Sequence, residues 1–260
     1  MEVVIGPGAE LGRLAADAIE QLLRAQPDAV LGLATGSSPL AVYDELARRY
    51  ADGGLSFARA RAFMLDEYVG LDEGHPERYR NVIEKEIASR VDFAEGAVQG
   101  PDGLADDLVL ACRAYEEAIA EVGGVDIQLL GIGTDGHVAF NEPGSSLASR
   151  TRIKTLTRQT REDNARFFGG DVDKVPAHCL TQGLATIMSA RHLVLLATGK
   201  GKAEAVHQLV EGPVSAMWPA TILQHHPHVT VLVDDAAASR LQLADYYRET
   251  YLSKPGWQGL

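Results

Sequence analysis

Short apolar runs that alternate with amphipathic helical patterns constrain this chain more than any other feature. The runs are Val3 to Ile5, Ala29 to Leu33, Ala60 to Leu65, Asp126 to Ile132, His192 to Ala197 and Val229 to Val233, and each reads as a short buried strand. Between the first two, Leu11, Leu14, Ala15, Ala18, Ile19, Leu22 and Leu23 recur at helical spacing. Leu40, Tyr43, Leu46, Ala47 and Tyr50 do the same after the second, and further helices are expected around Glu77 to Ser89, Leu104 to Val122 and Lys202 to Val210. Strands separated by helices imply right-handed βαβ units. The expected fold is therefore α/β: an open, mostly parallel sheet with helices on both faces, a three-layer, Rossmann-like arrangement. With 260 residues, 46% of them hydrophobic, and no compositional break, a single domain over 1–260 is expected.

One passage departs from the alternation. Ser145 to Leu180 is polar and strongly charged, with Arg150, Arg152, Lys154, Arg158, Arg161 and Arg166. Two readings stand: a lid or interface within 145–180, or a solvated excursion with one surface helix.

A formal charge of -12 argues against nucleic acid and against anionic membrane, because phosphate backbones select basic surfaces. The expected partner is a small molecule, and a small anion can still bind to local amides and a few cations. Two cysteines, Cys112 and Cys179, read as reduced and structural. The chain begins Met1-Glu2 and Gly6-Pro7-Gly8 breaks its first apolar run, so neither a secretory signal nor a membrane span is expected, and the location reads as cytoplasmic.

The densest polar segment, Gly131-Ile132-Gly133-Thr134-Asp135-Gly136-His137-Val138-Ala139-Phe140-Asn141-Glu142-Pro143-Gly144, follows the apolar run that ends at Ile132. Open α/β sheets place their ligands at such strand ends. Gly131, Gly133 and Gly136 also satisfy the dinucleotide fingerprint G-x-G-x-x-G, but Pro143 and Gly144 oppose the helix that must follow it, so no nicotinamide cofactor is expected. Asp135, His137 and Glu142 together can form an acid-base relay. The plainer reading makes Asp135-Gly136 a turn and His137 a surface residue.

Two other strand ends look built for anions. In Thr35-Gly36-Ser37-Ser38-Pro39 glycine permits close backbone approach, a serine can cap, and the free amides with the helix dipole favour a phosphate. A well-capped helix is the equal alternative. Thr198-Gly199-Lys200-Gly201-Lys202 adds two ammonium groups but lacks the spacing for nucleotide triphosphates, and a solvated lysine pair is its alternative. Asp66 in Asp66-Glu67-Tyr68 stands at another strand end, as a general base or as a solvated cap. His225, His226 and His228 are interrupted by Pro227 and match no zinc spacing, so no metal is expected there.

These motifs resemble the glucosamine-6-phosphate deaminase family, also called glucosamine-6-phosphate isomerase, over nearly the full length. The resemblance rests on Leu33 to Pro39, on Leu65-Asp66-Glu67-Tyr68-Val69-Gly70-Leu71, on Gly131 extended through Leu156, and on Asn164-Ala165-Arg166-Phe167-Phe168. In the related 6-phosphogluconolactonases the Asp-Gly-His core continues Ala-Ser-Leu-Phe-Pro, whereas Ala139-Phe140-Asn141-Glu142-Pro143 is the deaminase form. The resemblance implies conversion of D-glucosamine 6-phosphate and water to D-fructose 6-phosphate and ammonium in amino sugar catabolism, with no cofactor and no catalytic metal. It gives ring opening to His137 supported by Asp135 and Glu142, the C2 proton to Asp66, and the phosphate to Thr35, Gly36, Ser37, Ser38, Arg166 and Lys202.

Some members are hexamers activated by N-acetylglucosamine 6-phosphate, so a homo-oligomer is expected and Ser145, Arg152, Lys154 and Thr155 become a candidate allosteric set. A C-terminal tyrosine of those members lines up with Arg248. The competing functions are a lactonase-like hydrolase, weakened by Phe140-Asn141-Glu142, and a non-catalytic sugar-phosphate sensor, weakened by the lack of a basic N-terminal extension.

Overall fold

The computed structural model describes residues 1–260. In chain order its strands are β1 (Glu2–Ile5), β2 (Val30–Leu33), β3 (Arg61–Met64), β4 (Asp66–Tyr68), β5 (Val98–Gln99), β6 (Ile127–Leu130), β7 (Arg152–Thr155), β8 (His178–Thr181), β9 (His192–Ala197) and β10 (Val229–Val233). The α-helices are α1 (Gly8–Ala25), α2 (Leu40–Ala51), α3 (Tyr79–Glu86), α4 (Leu108–Glu121), α5 (Arg158–Asn164), α6 (Leu184–Ile187), α7 (Ala203–Glu211) and α8 (Ala244–Leu252).

Seven strands form one open sheet in the order β1-β10-β9-β6-β2-β3-β5, and every pairing in it is parallel. Every residue of β2, β6, β9 and β10 is buried. That is why their sequences are mostly apolar, with helices covering both faces; the polar exceptions Gln128, His192 and Thr230 are buried, and His192 and Thr230 bond to each other. From β2 the chain builds outward through β3 to the edge at β5, then returns to lay β6 on the other side of β2 and proceeds through β9 to β10. The order reverses between β2 and β6, so a crevice opens at their carboxyl ends, the place where open α/β sheets take their ligands.

The segment that departs from the alternation is ordered into β7, α5 and β8. β8 pairs antiparallel with both β4 and β7 in a second, three-stranded sheet. The expected strand from Ala60 to Leu65 thus ends at Met64, and Asp66 opens β4 in the other sheet. The seam is firmly tied: Leu65 N–H donates to Leu33 O at 3.2 Å and Leu65 O accepts Gln182 N–H at 2.7 Å. Met64 O takes the Gln182 side chain at 3.0 Å and the Tyr115 hydroxyl at 2.5 Å.

Helix boundaries also differ from expectation for local reasons. α4 starts at Leu108 because Asp107 accepts the amides of Val109 and Leu110 at 3.0 and 2.9 Å, an N-cap that the periodicity hides. α2 has Pro39 at its N-cap with no side-chain cap, so neither Ser37 nor Ser38 caps it. No helix is long and apolar enough to cross a membrane, and Cys112 and Cys179 are both free and buried.

Candidate active site

Four neighbouring strands, β9, β6, β2 and β3, deliver the candidate residues from their carboxyl ends. β2 leads into Thr35 to Ser38, β6 into Asp135 and His137, β9 into Lys202, and β3 into Asp66. A β-carbon on Gly131 would stand 3.4 Å from the Ser38 hydroxyl, so the serine loop and the polar segment meet across the crevice.

The polar segment folds back on itself. Gly133 N–H donates to His137 O at 2.9 Å and Gly136 N–H to Gly133 O at 3.1 Å. A side chain at Gly133 would stand 2.2 Å from the His137 ring, and Gly136 has φ 79° with Trp218 packed against it. These glycines therefore form a tight loop and not a dinucleotide site. Asp135 Oδ1 lies 2.7 Å from His137 Nδ1 and accepts the His137 amide at 3.2 Å. A neutral His137 then carries its proton on Nδ1 and leaves Nε2 as an acceptor. Burial pushes the Asp135 carboxyl up, but the hydrogen bonds and charge of His137 outweigh it and leave the carboxyl lowered. Ala139, at φ 52°, is the sole non-glycine residue with positive φ, and such strain is characteristic of sites whose surroundings over-determine the backbone.

Asp66 and Glu67 show how strand alternation separates two adjacent acids. Glu67 is buried and accepts the amides of Tyr68, Tyr79 and Arg80 at 2.8, 2.9 and 2.9 Å, which anchors the first turn of α3. Asp66, 5% exposed, receives no protein hydrogen bond. Burial first, and then the charge of Glu67, raise its carboxyl to about 8. A buried acid without a partner is costly, and it suits a base that must be reactive near neutral pH.

Glu142 is also buried, but the structure does not join it to His137. Its Oε1 accepts the Thr157 hydroxyl at 3.2 Å and, more closely, the Thr160 hydroxyl. The relay expected from the sequence is thus an Asp135–His137 pair with Glu142 held on α5. Burial, then the charges of Asp66 and Glu142, push the Cys179 thiol well above the usual range.

Among the residues expected to hold a phosphate, desolvation first lowers the Lys202 ammonium; Asp135 and Asp163 oppose that and Arg166 reinforces it. Lys202 and Arg166 therefore stand in one electrostatic neighbourhood. Arg166 has its guanidinium 4.6 Å from the Phe167 ring centre and pairs with no carboxylate. Gly199, by contrast, is fixed structurally, its amide 3.0 Å from both oxygens of Asp234.

The candidate allosteric set is less compact. In β7 Arg152 and Lys154 alternate with Ile153 and Thr155, so Thr155 faces the opposite way. Ser145 is buried with its hydroxyl unpaired. Arg248 pairs with Asp235 and Asp245 at 2.8 and 3.0 Å. Two of the three clustered histidines have structural contacts: His226 lies against the Ala190 and His228 carbonyls at 2.7 and 2.9 Å, and His228 stacks on His192, while His225 is exposed. No group of three or more His, Cys, Asp or Glu side chains converges to hold a metal ion.

Sequence reasoning missed Thr157, Thr160 and Asn141. The Asn141 amide ties Val138 O to Gln182 O at 3.0 and 2.8 Å, which stitches the polar segment to the seam. Only the placement of Asn141 beside Glu142 hinted at it.

Comparison with known proteins follows the same lines. Residues 8–232 match the family model described as glucosamine-6-phosphate isomerases/6-phosphogluconolactonase. The chain is 77% identical to the glucosamine-6-phosphate deaminase of Beutenbergia cavernae and 75% identical to that of Mycolicibacterium smegmatis, with 100% of each chain covered in both cases. Among solved structures, a monomeric glucosamine-6-phosphate deaminase superposes with a TM-score of 0.90 at 44% identity, covering 92% of this chain and 100% of its own. The 6-phosphogluconolactonase of Trypanosoma cruzi shares the fold at TM-score 0.75 and 23% identity, covering 93% and 97%.

Proposed function

The chain belongs to the glucosamine-6-phosphate isomerase/6-phosphogluconolactonase family, and from that premise we propose that it converts D-glucosamine 6-phosphate and water to D-fructose 6-phosphate and ammonium in amino sugar catabolism. The observation that carries this reading is Asp66, a buried carboxylate without a protein partner where the two sheets join.

The residues divide the work. Backbone amides of Thr35, Gly36, Ser37 and Ser38 with Lys202 and Arg166 hold the 6-phosphate, the two cations adding charge-assisted bonds. His137, oriented by Asp135 at 2.7 Å, moves the proton between the anomeric hydroxyl and the ring oxygen, and Glu142 assists once it faces the ring. With the sugar open, Asp66 takes the C2 proton and returns it at C1 of the enolamine. Water then adds to the resulting imine and ammonium leaves. A substrate ammonium at C2 is an opposite charge next to Asp66 and draws its carboxyl, which burial and Glu67 raise to about 8, toward the ionised form that acts as base.

The same reading carries a cytoplasmic location. For the second anion site, Arg152 and Lys154 share one face of β7, which supports an N-acetylglucosamine 6-phosphate activator. The opposite orientation of Thr155 and the ion pairs of Arg248 weaken that support. The monomeric structural relative weakens the homo-oligomer in the same way.

The test is ammonium and fructose 6-phosphate release from glucosamine 6-phosphate by the purified protein. Wild type releases both in equal amounts, and Asp66→Asn loses roughly 10²- to 10⁴-fold in kcat. A wild type that releases neither overturns the reading.

A further inference from the structure

Glu142 lies on the loop after β6, yet the groups that hold its carboxylate belong to α5. Thr160 is buried and its hydroxyl donates to Glu142 Oε1. Thr157 lies 3.2 Å from the same oxygen and 2.9 Å from the Thr160 hydroxyl. Each hydroxyl has one proton to give. That of Thr160 goes to Glu142; Thr157 gives its own to Glu142 or to Thr160, and its oxygen accepts the Thr160 amide at 3.2 Å as the N-cap of α5. α5 continues without a break into the 3₁₀ turn Ala165–Phe168 that carries Arg166, where Phe168 and Ala165 are buried in the small core. One short segment thus carries at one end a guanidinium assigned above to the phosphate and, at the other, two hydroxyls on a carboxylate assigned to ring opening.

Resting on the deaminase reading above, we propose that Thr157 and Thr160 are positioning residues: through them α5 sets the direction of Glu142, so that capture of the 6-phosphate by Arg166 is tied to ring opening. The two hydroxyls keep Glu142 on α5, with no hydrogen bond to His137. A shift of α5 as Arg166 engages the phosphate carries the carboxylate with it. The threonines touch no substrate and act only through Glu142.

Thr160→Val separates this role from simple helix capping, because it keeps the β-branched shape and leaves the Thr157 cap intact. Turnover of glucosamine 6-phosphate is measured for wild type, Thr160→Val, Thr160→Ser, Glu142→Gln and the Thr160→Val/Glu142→Gln double variant. Thr160→Val is expected to lower kcat roughly 10- to 100-fold, as misplacement of a catalytic group does, with KM within about threefold. Thr160→Ser restores kcat to within about threefold of wild type by the same geometric argument. In the Glu142→Gln background Thr160→Val has no further effect, since two residues that act as one unit are not additive. An unchanged kcat in Thr160→Val, failure of Thr160→Ser to rescue it, or full additivity in the double variant overturns the proposal while an active wild type leaves the deaminase reading standing. Inactivity of the wild type overturns both.

Discussion

The parallel sheet and the small antiparallel sheet differ most in what holds them together. A continuous core of 54 buried apolar residues surrounds the first, and eight fill the second. The first fixes the parts of the site that must not move: the serine loop after β2, the Asp135–His137 pair after β6 and Lys202 after β9. The second rests on a few aromatic contacts, with Tyr68 4.8 Å from Tyr79 and 5.7 Å from Phe168 between ring centres. Regions with few buried apolar contacts open at lower cost. Arg166, Thr157 and Thr160 all lie there, which suits groups that rearrange around a bound sugar. Asp66 stands on the seam, where neither half solvates it.

Glu142→Gln tests the division hardest. It removes a proton donor and acceptor held by the small region, so kcat falls roughly 10²- to 10⁴-fold while KM stays within a few-fold. A defect confined to KM would place Glu142 in the phosphate site and erase the distinction. A smaller effect separates the two cations: Lys202→Ala and Arg166→Ala each raise KM about tenfold through one lost charge-assisted contact, but only Arg166→Ala also lowers kcat, because it alone lies on the segment joined to Glu142. Equal kcat for the two variants would mean that α5 conveys nothing to the carboxylate.

The smallest effect concerns stability at the seam. Folding raises the Asp66 carboxyl to about 8 from an ordinary 3.8. Below the ordinary value the group is neutral in both states and costs no ionisation. As pH rises from there toward about 8, the unfolded chain ionises first and the folded state loses stability; beyond that the loss is constant. Asp66→Asn should therefore gain a few degrees in Tm over wild type at alkaline pH, a gain that shrinks toward pH 4 in thermal unfolding followed by circular dichroism. A gain that does not vary with pH would show that Asp66 is solvated or paired.

How much of this was legible in the sequence follows from the same two regions. The strands buried on both faces announce themselves as apolar runs, and the motifs at their ends could be placed from local spacing. The small sheet could not be read that way. β4 has three residues that merge with the preceding run, and β7 is Arg-Ile-Lys-Thr, half charged and partly exposed. What makes them strands is pairing with β8, whose residues lie far along the chain from their partners in β7 and farther still from those in β4. The backbone just ahead of Asp66 is tied by Gln182, 118 residues distant from Met64. The threonines on Glu142 come from 15 and 18 residues beyond it. Local patterns report what a strand must bury, and they carry no record of partners brought in by tertiary folding.

The most direct test of the account is the kcat/KM of the wild-type protein for ammonium release from D-glucosamine 6-phosphate, set against that from unphosphorylated D-glucosamine. The proposed site, with Asp66 as base, the Asp135–His137 pair and two cations for the phosphate, predicts that loss of the phosphate costs at least about 100-fold, since remote binding energy is used to orient the reacting carbons. Equal values for the two sugars, or no ammonium from either, would contradict it.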